Sequence, residues 1–184
     1  MFDKPYDITG KHALYTRYLS RDLQIKDRGG VFGSYGIFER YLDVYLNGAL
    51  FGLLYNRTAQ RDVSTEQAQI QASAFNTSRS DCLFLYRLVM LLEQTTGVSK
   101  EERIERAFKD DADENRSEKV TANMNLFHSY VLGGIEVLYE KYTDKCNTPD
   151  DYLERVYMLM KGFQEELQET TEEHYKEKLA QLIG

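Results

Sequence analysis

Apolar residues recur every three or four positions along nearly the whole chain, which is the repeat of one face of an α-helix. No two segments alternate apolar and polar residues in the way that paired strands do. We therefore predict an all-α fold, a multi-helix bundle of about six to eight helices with partly orthogonal packing. The helical segments are residues 11–26, 37–56, 80–93, 101–110 and 117–142, and a last stretch from 149 onward.

Two stretches of different composition interrupt the helical pattern. Residues 27–36 contain four glycines in ten positions, so we predict a connector between helices there. Residues 57–79 are polar and are predicted to be exposed or mobile, with Ser64 or Thr65 capping a short helix. A length of 184 residues suits one domain, and we predict a single helical domain over 1–184.

Three helix starts carry the residue types that cap helices. Ser80 or Asp81 is predicted to cap the helix at 80–93. Ser99 and Glu102 have the spacing of a capping box, in which the two side chains bind each other's backbone amides. Thr148 precedes a proline, which is common at the first position of a helix. A helix is therefore predicted to begin at each of these places.

Glycines inside two of the helical segments indicate close packing. Gly48 and Gly52 lie four positions apart, so they share a helix face and would let another helix approach its backbone. Each glycine destabilises the helix by about 1 kcal/mol relative to alanine. We therefore expect closer packing at these glycines to outweigh this cost. The pair Gly133 and Gly134 marks either a close crossing or a kink.

The apolar helix at 80–93 contains two side chains with chemistry of their own. Cys82 is predicted to be a small core residue. Arg87 would be costly to bury alone, so it is predicted to reach the surface or to pair with a carboxylate. A place in the wall of a ligand pocket is the alternative for Arg87.

Composition excludes several classes of protein. Hydrophobic residues make up 42% of the chain and there are two prolines, which excludes disordered and collagen-like chains. No apolar run reaches the roughly 18 residues of a membrane span, and the first ten residues lack the apolar core of a secretory signal. The two cysteines cannot form a disulfide framework. We therefore predict a cytoplasmic protein without a membrane span.

Charge is distributed unevenly along the chain. The net charge is −7, which argues against a protein that coats nucleic acid. Residues 1–61 nevertheless hold nine Lys and Arg against six Asp and Glu, together with half of the fourteen tyrosines. The rest of the chain is strongly acidic. Such polarity suits a subunit that presents different faces to different partners.

The chain contains no motif that identifies a reaction. Its three histidines, His12, His128 and His174, are far apart, and neither Cys82 nor Cys146 has a second cysteine at metal-binding spacing. Phosphate-binding loops of the known nucleotide motifs are absent. We therefore predict no metal site, no cofactor and no catalytic residue, and we regard an enzyme as the less favoured class.

Arginines and tyrosines of the N-terminal third form the candidate binding site. Arginine and tyrosine dominate the energetic centres of protein interfaces, so we expect a protein partner or a second copy of the chain. The function predicted is that of a non-enzymatic helical subunit, a scaffold or accessory component of a complex. The candidate residues are Tyr15, Arg17, Tyr18, Arg21, Arg28, Tyr35 and Arg40.

Two other functions use residues of the same chain. In the first, a nucleic-acid-binding accessory protein would place Arg17, Arg21 and Arg28 on phosphates and stack tyrosines on bases. In the second, an enzyme would assemble its site across helices, for example from the three residues His128, Tyr130 and Glu136, although no spacing favours this.

Overall fold

The structure is a computed structural model that describes residues 1–20, 36–110, 117–144, 146, 148–169, 176 and 180. Helices make up most of this part of the chain, and the predicted all-α, multi-helix class is confirmed. The elements, in order, are β1 (Tyr6–Thr9), α1 (Lys11–Leu19), α2 (Tyr41–Leu54), β2 (Gln67–Ile70), α3 (Ala72–Thr77), α4 (Arg79–Leu92), α5 (Lys100–Phe108), α6 (Ser117–Thr143) and α7 (Pro149–Glu169).

The chain divides into two compact units, Met1–Glu140 and Lys141–Gly184, so that α6 begins in the first and ends in the second. The single domain over 1–184 stays a prediction. Of the connector predicted at 27–36, only Gly36 lies within the described residues. No described helix combines the length and the apolarity needed to cross a membrane.

A short antiparallel sheet corrects the prediction that the chain has no strand pair. Strands β1 and β2 pair in register from Tyr6 with Ile70 to Thr9 with Gln67. In β2 the residues alternate between exposed and buried, as expected of a strand with one face on a core. Sequence reasoning missed the pair because the partners are about 60 residues apart, with no hairpin turn between them.

The polar segment 57–79 contains more regular structure than its composition indicates. Most of its first ten residues are exposed, as predicted. The short helix is α3, which begins at Ala72, and the predicted caps Ser64 and Thr65 instead precede β2. The prediction of these caps was wrong because the residues after them form β2, whose pairing with the distant strand β1 determines their conformation.

Helices α2 and α6 cross at their glycines. A Cβ atom at Gly48 would lie 2.8 Å from the carbonyl oxygen of Val131 in α6. One at Gly52 would overlap the backbone of Tyr130, and one at Gly134 would overlap the backbone of α2. Because α6 is one continuous helix through this point, the glycine pair marks a close crossing.

The observed caps agree with two of the three predictions. The Ser99 hydroxyl accepts a hydrogen bond from the Glu102 amide at 3.3 Å and begins α5, which is one half of the predicted capping box. The Glu102 carboxylate instead pairs with Arg106 at 2.8 Å. The Thr148 hydroxyl likewise accepts from the Asp151 amide at the start of α7, at 3.4 Å. The cap at Ser80 or Asp81 was wrong, because α4 begins at Arg79 directly after α3 and neither residue precedes it.

Aromatic rings fill the core of the first unit. The centroid of the buried Tyr45 ring lies 5.3 Å from that of Phe75 and 5.9 Å from that of Phe127. Both pairs are edge-to-face, an arrangement in which aromatic rings attract each other.

Cys82 is buried in this unit as predicted, and burial raises the pKa of its thiol to about 11. The half-buried Arg87 places its guanidinium over the Phe108 ring, 5.3 Å from the centroid, so its contact is a cation–π pair.

In the second unit, the described residues belong mainly to the end of α6 and to α7. Tyr142 and Tyr152 are both buried, and their rings lie 5.3 Å apart. Arg155 donates from Nε to the carbonyl oxygen of Lys141 at 2.8 Å and also pairs with Asp144. These contacts join one side of α7 to the last turn of α6.

Candidate functional site

The start of α1 is held by the polar segment that follows α2. Gly10 has a φ of +63°, a left-handed conformation that glycine adopts without strain, and its amide donates to the Glu66 carbonyl oxygen at 2.8 Å. The first amide of α1, at Lys11, donates to the Asp62 carboxylate at 2.9 Å. Backbone donors from Lys11 and Ser64 lower the pKa of Asp62, which keeps this capping group ionised.

A cluster of charged groups joins α1 to α6. Its centre is Glu136, a nearly buried residue of α6. One carboxylate oxygen of Glu136 lies 2.7 Å from Lys11 Nζ and 3.0 Å from His12 Nε2. The other lies 3.1 Å from an Arg57 guanidinium nitrogen, which also reaches Glu140 at 3.1 Å. We call Lys11, His12, Arg57 and Glu136 the Glu136 cluster.

The protonation states in the Glu136 cluster follow from burial and hydrogen bonding. Burial pushes the pKa of Glu136 upward, but hydrogen bonds from Lys11, Arg57 and His12 outweigh it and leave the pKa lowered. Burial also lowers the pKa of His12, and its bond to Glu136 offsets this only in part. At neutral pH the cluster therefore pairs an ionised carboxylate with two cations and a neutral imidazole. His12 is completely buried, and its contact with Glu136 joins α1 to α6.

Three tyrosines form an aromatic group beside the Glu136 cluster. The rings of Tyr15 and Tyr139 are stacked, with centroids 3.9 Å apart and planes 11° from parallel. Tyr18 meets Tyr139 edge-on at 5.3 Å. All three side chains are half-buried. We call Tyr15, Tyr18 and Tyr139 the tyrosine surface; Lys11 lies one turn before Tyr15 in α1, and Glu140 follows Tyr139 in α6.

The structure brings together only part of the predicted site. Tyr15 and Tyr18 meet on Tyr139, as described above. Arg17 turns to Glu66, with 2.5 Å between Nη1 and the carboxylate, and also donates to the Gln67 carbonyl oxygen. Arg40 instead binds Asp43 at the start of α2, at 2.6 Å. The remaining predicted residues, Arg21, Arg28 and Tyr35, lie outside the described residues.

Sequence reasoning missed Tyr139 and the role of His12. His12 and Glu136 are 124 positions apart, so no local spacing connects them. The one available signal for Tyr139 was its place at the edge of the apolar stripe of the 117–142 helix. Identifying its partner required the packing of α1 on α6.

The enzyme alternative placed His128, Tyr130 and Glu136 in one site, and the structure gives each of them separate partners. His128 Nε2 lies 3.1 Å from the Tyr45 hydroxyl. The Tyr130 hydroxyl lies 3.3 Å from the side-chain oxygens of Asn56 and Thr95. Glu136 belongs to the cluster described above. The side chains of His128, Tyr130 and Glu136 thus each contact a different part of the fold and do not form one common site.

Burial makes His128 a pH-sensitive element of the fold. Its ring stacks on Tyr6 at 4.0 Å between centroids. Burial, with a smaller effect from the charge of Arg61, lowers the pKa of His128 from 6.5 to about 4. Since the unfolded chain binds this proton at higher pH, stability is full above pH 6.5 and is lost as the pH falls toward 4.

We expect wild-type unfolding free energy to fall by about 2 kcal/mol more between pH 7 and pH 5 than that of His128→Gln. Urea titrations at both pH values measure the difference. His12, whose pKa is also lowered, contributes in the same pH range, and the comparison with the variant cancels its effect. Equal pH dependence of the two proteins would contradict this role for His128.

A cavity of about 220 Å³ lies within the second unit. Its walls include Cys146, Glu154 and Arg155. Burial raises the pKa of the Cys146 thiol, so this thiol is protonated and a weak nucleophile at neutral pH. Among the described residues, no group of three or more His, Cys, Asp or Glu side chains is arranged to hold a metal ion.

Comparison with models of known protein families, with curated proteins and with solved structures finds no match. The functional assignment therefore depends on the geometry of this chain. The tyrosine surface is the described feature that best fits a binding role, because it exposes part of an ordered aromatic group beside charged residues.

Proposed function

We propose that this protein is a non-enzymatic helical subunit that binds a protein partner, or a second copy of itself, through the tyrosine surface. The observation that carries the proposal is the stacking of Tyr15 on Tyr139 with Tyr18 at the edge. Tyrosine offers a large contact area with few rotatable bonds, and stacked rings have already lost much of their freedom. A partner would therefore meet a surface that needs little further ordering.

The pairing of the basic candidate residues supports a protein partner over nucleic acid. Arg17 and Arg40 are each paired with a carboxylate, as are Lys11 and Arg57 in the Glu136 cluster. A phosphate would have to displace these carboxylates, whereas paired charges suit the polar rim of a protein interface. The net charge of −7 adds a general repulsion for nucleic acid.

We also propose that the subunit works in the cytoplasm. Cys82 and Cys146 are both free thiols. Free thiols are compatible with a reducing compartment, where disulfides are rare.

We expect the double variant Tyr15→Ser and Tyr139→Ser to weaken the complex at least about tenfold, because aromatic residues dominate interface energies. Complex formation is measured by light scattering for self-association and by co-purification from cells of the source organism for a partner. Tyr55→Ser is the matched control, since Tyr55 is 48% exposed at the end of α2 and stacks on Phe51. Circular dichroism verifies that each variant is folded.

Two outcomes would contradict the proposal. One is a strictly monomeric protein that co-purifies with no partner, or a complex that the double variant retains. The other comes from light scattering with a short mixed-sequence DNA at low salt. A monomer shifted by the DNA, with the shift lost at moderate salt, would favour the nucleic-acid function.

A further inference from the structure

Helix α7 carries apolar residues on two adjacent stripes, and within the part of the chain that the structure describes one stripe is packed and the other is exposed. Tyr152 is buried against α6, and Val156, one turn later, is half-buried. The outer stripe is Leu153, Tyr157 and Met160, and their exposed fractions are 68%, 63% and 64%. The sequence pattern of α7 is that of an amphipathic helix, and among the described residues only part of its apolar face is buried.

The spacing of the outer stripe is that of a helix-binding surface. Positions 153, 157 and 160 follow each other by four and three residues, so their side chains lie on one face. Apolar side chains at such spacing are the usual contact points between two helices.

The charges of α7 determine which partner fits the stripe. Within Pro149–Glu169 the sequence has six acidic residues and two basic ones. Both basic side chains already have acidic neighbours: Arg155 pairs with Asp144, and Lys161 Nζ lies 3.6 Å from a Glu165 carboxylate oxygen. The helix therefore has four more acidic than basic residues. The exposed Asp150 and Glu154 each lie one turn before a residue of the stripe, Leu153 and Tyr157 respectively.

We propose that the outer stripe of α7 docks a basic amphipathic helix of a partner protein. The apolar face of that helix covers Leu153, Tyr157 and Met160, and its Lys and Arg residues face exposed carboxylates such as Glu154. A second copy of α7 would bring the same negative charge and repel the first. This docking site goes beyond the proposed function, because it lies in the second unit and uses none of the tyrosine surface.

Synthetic peptides with the full-length protein provide the test. The probe is a fluorescein-labelled helical peptide of leucine and lysine with one apolar face, and binding is followed by fluorescence anisotropy. One control peptide has the same composition in an order that gives no apolar face. The other replaces each lysine by glutamate. We expect the basic amphipathic peptide to bind at least about tenfold more tightly than either control, with an affinity that falls as salt rises.

Matched variants locate the binding site. Leu153→Ser with Met160→Ser removes apolar contact without changing charge, and we expect it to weaken the basic peptide at least about tenfold. Val63→Ser is the control, since Val63 is 91% exposed and lies in the first unit. We expect this control to bind like the wild type. Asp150→Asn with Glu154→Gln should reduce both the affinity and its salt dependence.

Three results would overturn the proposal. The first is equal binding of the two basic peptides, which would indicate unspecific attraction to an acidic protein. The second is unchanged affinity of the Leu153→Ser, Met160→Ser variant. The third is a wild-type dimer in light scattering that this variant converts to monomer, which would make a second copy the occupant. The first two results do not bear on the tyrosine surface, whose test uses Tyr15 and Tyr139. The third would also count against self-association through the tyrosine surface.

Discussion

Replacement of Gly134 by alanine is expected to cost at least about 3 kcal/mol of unfolding free energy, and we expect the variant to be largely unfolded at 37 °C. The added Cβ atom would overlap the carbonyl oxygen of Gly48 and the amide of Gly52. Both obstacles are backbone atoms of α2, so no change of side-chain rotamer relieves the overlap. The two helices must separate, which opens the aromatic core. Chemical denaturation followed by circular dichroism measures the loss.

Gly162→Ala is the matched control for this prediction. Gly162 also lies inside a helix, α7, but a Cβ atom there would meet no described atom within 4 Å beyond its chain neighbours and its own helix backbone. Alanine should therefore stabilise α7 by about 0.5–1 kcal/mol, its ordinary advantage in a helix. If Gly134→Ala were as stable as the wild type, the close crossing of α2 and α6 would be wrong.

Replacement of Glu136 by alanine is expected to cost about 3 kcal/mol, because it removes the common partner of three groups. Lys11 and Arg57 would lose their carboxylate, and the buried His12 would lose its hydrogen bond at Nε2. These groups belong to α1 and to the segment after α2, so we also expect the tyrosine surface to lose order. Denaturation and complex formation are measured on the same preparation.

Glu140→Ala is the control for the effect of the cluster. Glu140 lies one turn beyond Glu136 in α6 and pairs with the same Arg57, but its side chain is 58% exposed. An exposed ion pair contributes little, so we expect a loss below about 1 kcal/mol. Equal losses in the two variants would show that the burial of Glu136 is unimportant, in contradiction to the cluster described here.

The two candidate surfaces differ in how the fold produces them. The tyrosine surface requires α1 to lie on α6, which the Glu136 cluster stabilises through His12 and Lys11. The outer stripe of α7 requires only that one helix form with its other side packed on the end of α6. We therefore expect destabilising changes in the Glu136 cluster to affect the first surface and to spare the second.

Features of the chain that depend on neighbouring residues could be predicted from the sequence. Helical periodicity predicted α2, α4, α5, α6 and α7, and the patterns at Ser99 and Thr148 predicted where two of them begin. The burial of Cys82 was predicted from the apolar run around it. The close α2–α6 crossing was predicted from its glycines, because glycine is unfavourable inside a helix unless close packing requires it. Tyr15 and Tyr18 were candidates from composition alone.

Features that join distant residues were decided by the tertiary structure. The strands β1 and β2 pair across about 60 residues, and neither is long enough to be recognised alone. The partner of His12 is 124 residues away, and the partner of Arg17 is 49 residues away. The side of α7 that stays exposed depended on the packing of Tyr152 against Tyr142. Local sequence determines which residues share a helix face, whereas the choice of neighbour for that face is made by packing among all the elements.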